Sequence, residues 1–142
     1  MVHGRAEDAA NAGFAKLGFA QGQIVQELAW DEDCDDAVRE GIESVVGSPL
    51  EDEEYTDGAD AVLVWFREED GDLVDTVVDA LTNLVEHGFL VLCTPRAGQP
   101  GAVEPSDIDD AAVTAGLHPA GVSNVSKTWT ITRLVAPKTP RR

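Results

Sequence analysis

The sequence predicts an α/β fold, a three-layer Rossmann-like sandwich with a mostly parallel sheet and an antiparallel C-terminal strand pair. Two apolar runs, residues 59–66 and 88–94, are separated by a helical stretch. Strands that are apolar on both faces are covered on both sides, which is typical of parallel sheets. The polar–apolar alternation of residues 128–135 favours a last strand with two different faces.

The first half of the chain is predicted to contain two helices and one strand before the first of these apolar runs. Gly18 suits the end of the first helix, since glycine adopts the left-handed turn at little cost. Val38, Ile42 and Val46 form one apolar stripe on the second helix. The acidic connector that follows leaves room for a short edge strand. The predicted bounds are 6–17 for the first helix, 23–30 for the strand, 33–46 for the second helix and 50–58 for the connector.

The second half is predicted to alternate helices and strands. Leu73, Val77 and Leu81 place an apolar face on a helix that ends at Gly88. A later helix opens at Ser106 in the pattern of a capping box, in which side chains bond the first free backbone amides. The predicted bounds are 59–66, 89–94, 121–125 and 128–135 for strands, 72–87 and 106–115 for helices, and 95–105 for a Pro/Gly-rich loop.

Length and composition predict one domain over residues 1–136, followed by a basic, disordered tail at 137–142. No run approaches the about 20 apolar residues that span a bilayer. The first residues lack the apolar segment of a secretory signal, so the expected location is the cytoplasm. Cys34 and Cys93 are expected to be reduced thiols.

The net charge of −17 is confined to one half of the chain. Residues 1–75 carry 21 acidic and 4 basic side chains, whereas residues 76–142 carry 6 of each. Such a surface repels phosphate backbones and anionic lipids, so neither direct nucleic-acid binding nor membrane binding is expected. Two interpretations stay open: the charge serves solubility alone, or it forms a docking face for a basic protein partner.

The order of elements resembles the carboxyl half of class I S-adenosylmethionine-dependent methyltransferases. In those folds the last strand inserts antiparallel beside the central parallel strands. The strands at 59–66 and 89–94, the helix at 72–87 and the closing strand pair match that layout in order. That family places a Gly-x-Gly-type loop after its first strand, where the backbone approaches the cofactor. This chain has Ala29 to Cys34 at that place, with Trp30 and carboxylates but no glycine. No cofactor-binding or catalytic residue is therefore carried over, and no cofactor is predicted.

A closer resemblance is to a small actinobacterial family described only as a domain of unknown function. It rests on Lys16-Leu17-Gly18, on the strand at 59–66, and on the segments Gly116-Leu117 and 125–134. The resemblance covers nearly the whole chain. It implies a fold and supplies no activity.

Motif searches favour neither metal binding nor nucleophilic catalysis. Asp31, Asp33 and Asp35 alternate as EF-hand ligands do, but Asp36 and Ile42 stand where that loop needs glycine and a bidentate carboxylate. The three histidines show no ligand spacing, and the chain contains no Gly-x-Ser-x-Gly, Cys-x-x-Cys or Walker loop. At Cys34 a helix start would lower the thiol pKa, whereas the neighbouring carboxylates would raise it.

Four residues are predicted to lie at the carboxyl edge of the sheet: Trp30 and Trp65 at the ends of two strands, and Arg67 and Arg96 in the loops that follow strands. Ligands of open α/β sheets bind at this edge. The tryptophans would either pack in the core or form a pocket wall or partner anchor, and the arginines could hold an anion.

The sequence leans towards a non-catalytic binding or regulatory module that uses the acidic surface of the N-terminal half. The alternative is a diverged methyltransferase-like enzyme, or a binder of a small nucleotide-type ligand at the carboxyl edge. A homodimer is also open, since the strand at 128–135 would pair with a second copy if it lay on an edge.

Overall fold

The computed structural model describes residues 13–123 and 125–136. Five strands form one sheet in the order β1-β2-β3-β5-β4. Strands β1, β2 and β3 are parallel, and β5 runs antiparallel to both β3 and β4. The predicted fold class, mostly parallel with an antiparallel C-terminal pair, is confirmed. The strands are β1 (Val25–Leu28), β2 (Ala59–Trp65), β3 (Leu84–Pro95), β4 (His118–Ser123) and β5 (Trp129–Val135), and the helices are α1 (Asp36–Val46), α2 (Leu73–Ala80) and α3 (Pro105–Thr114).

Both faces of the sheet are covered, which explains the nearly continuous apolar run of β2. Side chains alternate between faces along a strand. Leu63 points to one face, where it packs with α1 and with residues 13–19. Val64 points to the other, where α2 and α3 cover it. The sheet is therefore the middle of three layers.

The helix predicted at 72–87 is wrong in its last two turns. Helix α2 ends at Ala80, a short 3₁₀ turn follows over Leu81–Asn83, and β3 begins at Leu84. The Asn83 side chain accepts a hydrogen bond from the Gly58 amide at 3.0 Å and donates to the Tyr55 carbonyl at 2.9 Å. These long-range bonds fix the end of the helix, and the sequence pattern gives no sign of them.

Other predicted ends shift by a few residues because the cap residues differ. Helix α1 starts at Asp36, since the Asp35 side chain caps it by accepting from the Ala37 amide at 2.9 Å. Helix α3 starts at Pro105 after Glu104, without the capping box predicted at Ser106. Residues 6–12 of the predicted first helix and the predicted tail at 137–142 lie outside the described residues.

The last strand does not lie on an edge of the sheet, as pairing with a second copy through residues 128–135 would require, because β5 lies between β3 and β4. The outer strands are β1 and β4. The connector expected to hide an edge strand forms a single parallel bridge, between Glu51 and Gln26 of β1. Within the described residues, none of the helices is both long and apolar enough to cross a membrane.

Candidate functional site

The loops that follow β1, β2 and β3 meet at the carboxyl edge of the sheet, as parallel pairing requires. The Glu68 amide after β2 donates to the Gly101 carbonyl in the loop after β3, at 2.9 Å. A Cβ added to Gly101 would lie 3.2 Å from the Cβ of Arg67. The three loops are thus in close contact around Arg67.

Arg67 reaches from the end of β2 into the turn that follows β1. Its Nε and Nη2 donate to the two carboxylate oxygens of Asp33, and its Nη1 donates to the Ala29 carbonyl at 2.9 Å. The guanidinium also lies 5.2 Å from the centre of the Trp129 ring. Only 7% of Arg67 is exposed. A planar guanidinium with five donors suits such a site, where one residue ties three partners together.

This network sets the ionisation of the turn. The hydrogen bond from Arg67 lowers the pKa of Asp33, and the same bond raises the pKa of Arg67. Burial raises the pKa of the Cys34 thiol to about 11. The carboxylates and helix start weighed from the sequence are therefore outweighed by burial, and the thiol is protonated at neutral pH.

The turn does not fit an S-adenosylmethionine cofactor. Its first residue, Ala29, adopts a left-handed φ of 64°, so the chain turns as a glycine loop would, but with a side chain present. The Ala29 carbonyl and the Asp33 carboxylate are both bonded to Arg67. The backbone that a cofactor would approach is thus covered by a buried cation.

A buried carboxylate beneath the turn was missed by the sequence analysis. Glu27 in β1 accepts two hydrogen bonds from Arg39 of α1, at 2.7 and 2.9 Å. It also accepts one from the indole Nε1 of Trp65, at 2.8 Å. A carboxylate between Val25 and Leu28 in a predicted strand is the signal that could have indicated this pairing, because buried carboxylates need partners.

The structure separates the four residues predicted to line a ligand or partner surface. Trp65 is fully buried and packs edge-to-face on Trp129, with ring centres 4.9 Å apart. It belongs to the core, so its predicted place in a surface is wrong. Trp30 is 49% exposed and has the Arg39 guanidinium 5.5 Å from its ring centre.

The two predicted arginines, Arg67 and Arg96, lie in different environments. Arg67 directs its donors to protein groups, which contradicts the anion-holding role predicted for it. Arg96 is half-buried after β3, and its backbone amide donates to the Thr128 carbonyl at 2.9 Å. The predicted side-by-side arrangement of β1 and β2 is confirmed, but only Trp30 of the predicted set is exposed at their edge.

Outside the Arg67 network, the carboxyl edge is acidic. Four side chains on the loops after β1 and β2 are exposed and make no ion pair with the described residues, unlike Asp33 and Asp70, which pair with Arg67. Within residues 13–123 and 125–136, no three His, Cys, Asp or Glu side chains are grouped so as to hold a metal ion. We call these four side chains the edge carboxylates: Asp31, Glu32, Glu68 and Glu69.

Residues 14–138 match the model of a family described as "Protein of unknown function (DUF3052)". The chain belongs to the DUF3052 family. Uncharacterised proteins of Mycobacterium tuberculosis and Mycobacterium bovis are each 48% identical to it over 123 residues, covering 87% of this chain and 77% of theirs. The predicted resemblance to a family of unknown function is confirmed.

Solved structures similar to this DUF3052 chain include methyltransferases. The riboflavin-type dimethyltransferase RosA of Streptomyces davawensis superimposes with a TM-score of 0.62 at 12% identity, over 92% of this chain and 54% of RosA. The methyltransferase CcbJ of Streptomyces caelestis gives 0.56 at 13% identity, over 93% and 90%. The chain thus spans about half the length of RosA. At these identities the likeness shows the fold alone, and it confirms the predicted methyltransferase-like layout.

Proposed function

We propose that this protein is a non-catalytic binding module, which presents the acidic carboxyl edge of its sheet to a basic protein partner. One observation carries the proposal: the Arg67 guanidinium fills the turn after β1, where the related fold would admit a cofactor. With that turn filled, the exposed side chains on the loops after β1 and β2 are carboxylates and the indole of Trp30.

The chemistry of this surface suits lysine- and arginine-rich partners. The edge carboxylates attract cations from a distance and raise the rate of encounter. Trp30 adds an exposed aromatic face, and Arg39 already lies over that ring, as cation–π contacts require. A partner guanidinium could exchange with Arg39 or add to the free face of the ring.

The test is affinity purification of the tagged protein from its own cell extract over a range of salt concentrations. The wild type is compared with a variant carrying the edge changes Asp31→Asn, Glu32→Gln, Glu68→Gln and Glu69→Gln. A control variant removes the same charge from α3 and its start, at Glu104, Asp107, Asp109 and Asp110, all exposed. We expect a basic protein that the wild type and the control retain and that the edge variant loses. A partner bound equally by all three, or insensitive to salt, would contradict the proposal.

A second candidate is favoured by the superposition on RosA: a diverged methyltransferase-like enzyme, or a binder of a small nucleotide-type ligand at the same edge. It requires Arg67 to leave Asp33 and open the turn. Thermal unfolding with and without S-adenosylmethionine distinguishes the two, because a ligand at 100 times its dissociation constant adds about 2.7 kcal/mol. The binding-module proposal predicts no shift, whereas a saturable shift would favour the enzyme.

A further inference from the structure

A cavity of about 250 Å³ lies between α3 and the C-terminal half of the sheet, on the opposite face from Trp129. Its floor is formed by Thr94 of β3 and by Thr130 and Thr132 of β5. Ile108 of α3 lies opposite this floor. We call this cavity the threonine pocket.

The floor changes character along the strands. On this face β3 carries Leu90 and Leu92 and then Thr94, and the residue paired with Leu90 on β5 is Leu134. The two leucines at that end are core residues, whereas Thr94 is paired with another threonine, Thr130. The switch from leucine to threonine occurs where the strands enter the pocket.

The threonine hydroxyls open onto the cavity, although the two side chains are almost completely buried. Thr94 is 1% exposed and Thr132 is 4% exposed. Neither hydroxyl forms a hydrogen bond with the residues that the structure describes. Neither hydroxyl oxygen is among the fully buried polar atoms that lack a hydrogen-bond partner in the described residues, so both open onto the cavity, where a bound molecule can bond to them.

The lining restricts what the pocket can hold. Among the described residues that line it there is no Lys, Arg or His, and its one charged residue is Asp109 of α3. An anion would therefore meet a carboxylate without a compensating cation. Pockets for drug-sized ligands have roughly 300–1,000 Å³, so this volume suits a smaller molecule.

We propose that the threonine pocket binds a small, neutral, ring-containing molecule with a hydroxyl or carbonyl group that bonds to the threonine floor. Pro105 and Pro119 supply rigid apolar walls for the ring. This site lies on the other face of the sheet from the Trp30 surface and does not depend on the proposed partner.

The probes are p-cresol and toluene, which differ by one hydroxyl. Each is titrated into the isotope-labelled protein while the amide resonances are followed by NMR. We expect saturable shifts at Thr94, Ile108 and Thr130. The variant Thr132→Val removes one floor hydroxyl and should weaken p-cresol binding about three- to tenfold, the value of one hydrogen bond. It should leave toluene binding unchanged. Thr114→Val, at the exposed end of α3, is the matched control and should alter neither.

A second variant tests the location without disturbing the floor. Val122 lies at the pocket and is 60% exposed, so Val122→Trp can cover the opening without entering the core. It should abolish the shifts with both probes. The proposal is overturned if p-cresol gives no saturable shift at the pocket residues, if the shifts persist in Val122→Trp, or if Thr132→Val weakens both probes equally.

Discussion

Arg67 combines a buried position with a full set of donors, so its removal affects several groups at once. Arg67→Met keeps the bulk of the side chain and leaves the Ala29 carbonyl and the Asp33 carboxylate without their donor. Because Asp33 is more than half exposed, water recovers part of the loss. We expect a loss of about 2–3 kcal/mol in the free energy of unfolding, measured with urea. The control Lys127→Met removes one exposed charge and should change stability by less than about 0.5 kcal/mol.

The pH dependence of this difference has a defined sign. Arg67 lowers the pKa of Asp33 from its ordinary value of 3.8. A carboxyl group whose pKa is lowered in the folded state stabilises the fold at pH values above its pKa in the unfolded state. This stabilisation is lost as the pH falls through the pKa in the folded state. The gap between wild type and Arg67→Met should therefore narrow as the pH falls below about 3.8. A gap that stays constant into strong acid would show that the ion pair contributes nothing.

Cys34 provides a second test at the scale of one residue. With a pKa of about 11, roughly one thiol in a thousand is ionised at pH 8, and the side chain is buried. We expect slow reaction with a thiol reagent in the native protein and rapid reaction in urea. The effect of pH on stability is opposite to that of Asp33. Burial of the protonated Cys34 thiol contributes its full stability below the ordinary thiol pKa of 9.0, and this contribution is lost as the pH rises through about 11. Rapid labelling of native Cys34 at pH 7 would contradict this prediction, because it would show a thiol that is both accessible and readily ionised.

At the scale of elements, Gly88 tests the close packing of β3, because the strand leaves no room for a side chain at this position. In β3, a Cβ at this position would lie 2.8 Å from the Asp60 carbonyl oxygen and 2.7 Å from Leu84 Cδ1. Gly88→Ala should therefore destabilise the protein by about 1–3 kcal/mol in a urea titration. Glu86→Ala, exposed two residues earlier, is the control, and a stabilising Gly88→Ala would contradict the observed strand.

The elements that could be predicted are those whose pattern is local. The apolar runs of β2 and β3 and the stripe of α1 follow from burial on two faces or one, and they were predicted correctly. The end of α2 depends on Asn83 contacts with residues 25 or more positions away, so no local pattern encodes it.

The candidate site was predicted less well than the fold, for a related reason. Trp65 ends β2 and Arg67 follows it at the carboxyl edge, as predicted. Whether the two side chains face solvent depends on Glu27, Asp33 and Trp129 from three other segments. The identity of these residues is visible in the sequence, whereas their pairing is a property of the assembled sheet. Trp30 lies at the predicted edge and is 49% exposed, with the Arg39 guanidinium over its ring.

At the scale of the whole molecule, the uneven charge has an energetic cost that can be measured. Like charges at one edge repel in the folded state, and net charge far from zero weakens a compact fold. Neutralising the edge carboxylates should therefore raise the stability in low salt. The gain should shrink as salt is added, because the screening length is about 10 Å at 0.1 M. Neutralising the four acidic residues of the control should gain less, since that half of the chain is balanced and Asp107 lies in the first turn of α3, where negative charge is favourable.

This comparison also bears on why the edge carboxylates are present. If the edge variant is more stable than wild type, independently of any partner, the carboxylates are kept at a cost to the fold, as residues that serve binding often are. If the edge variant and the control gain equal stability, the acidic charge serves solubility in general. That result would contradict the proposal that the acidic edge is a docking surface. Thermal unfolding of the three proteins at low and high salt decides between these outcomes, because only repulsion concentrated at one edge gives a gain that is both larger there and sensitive to salt.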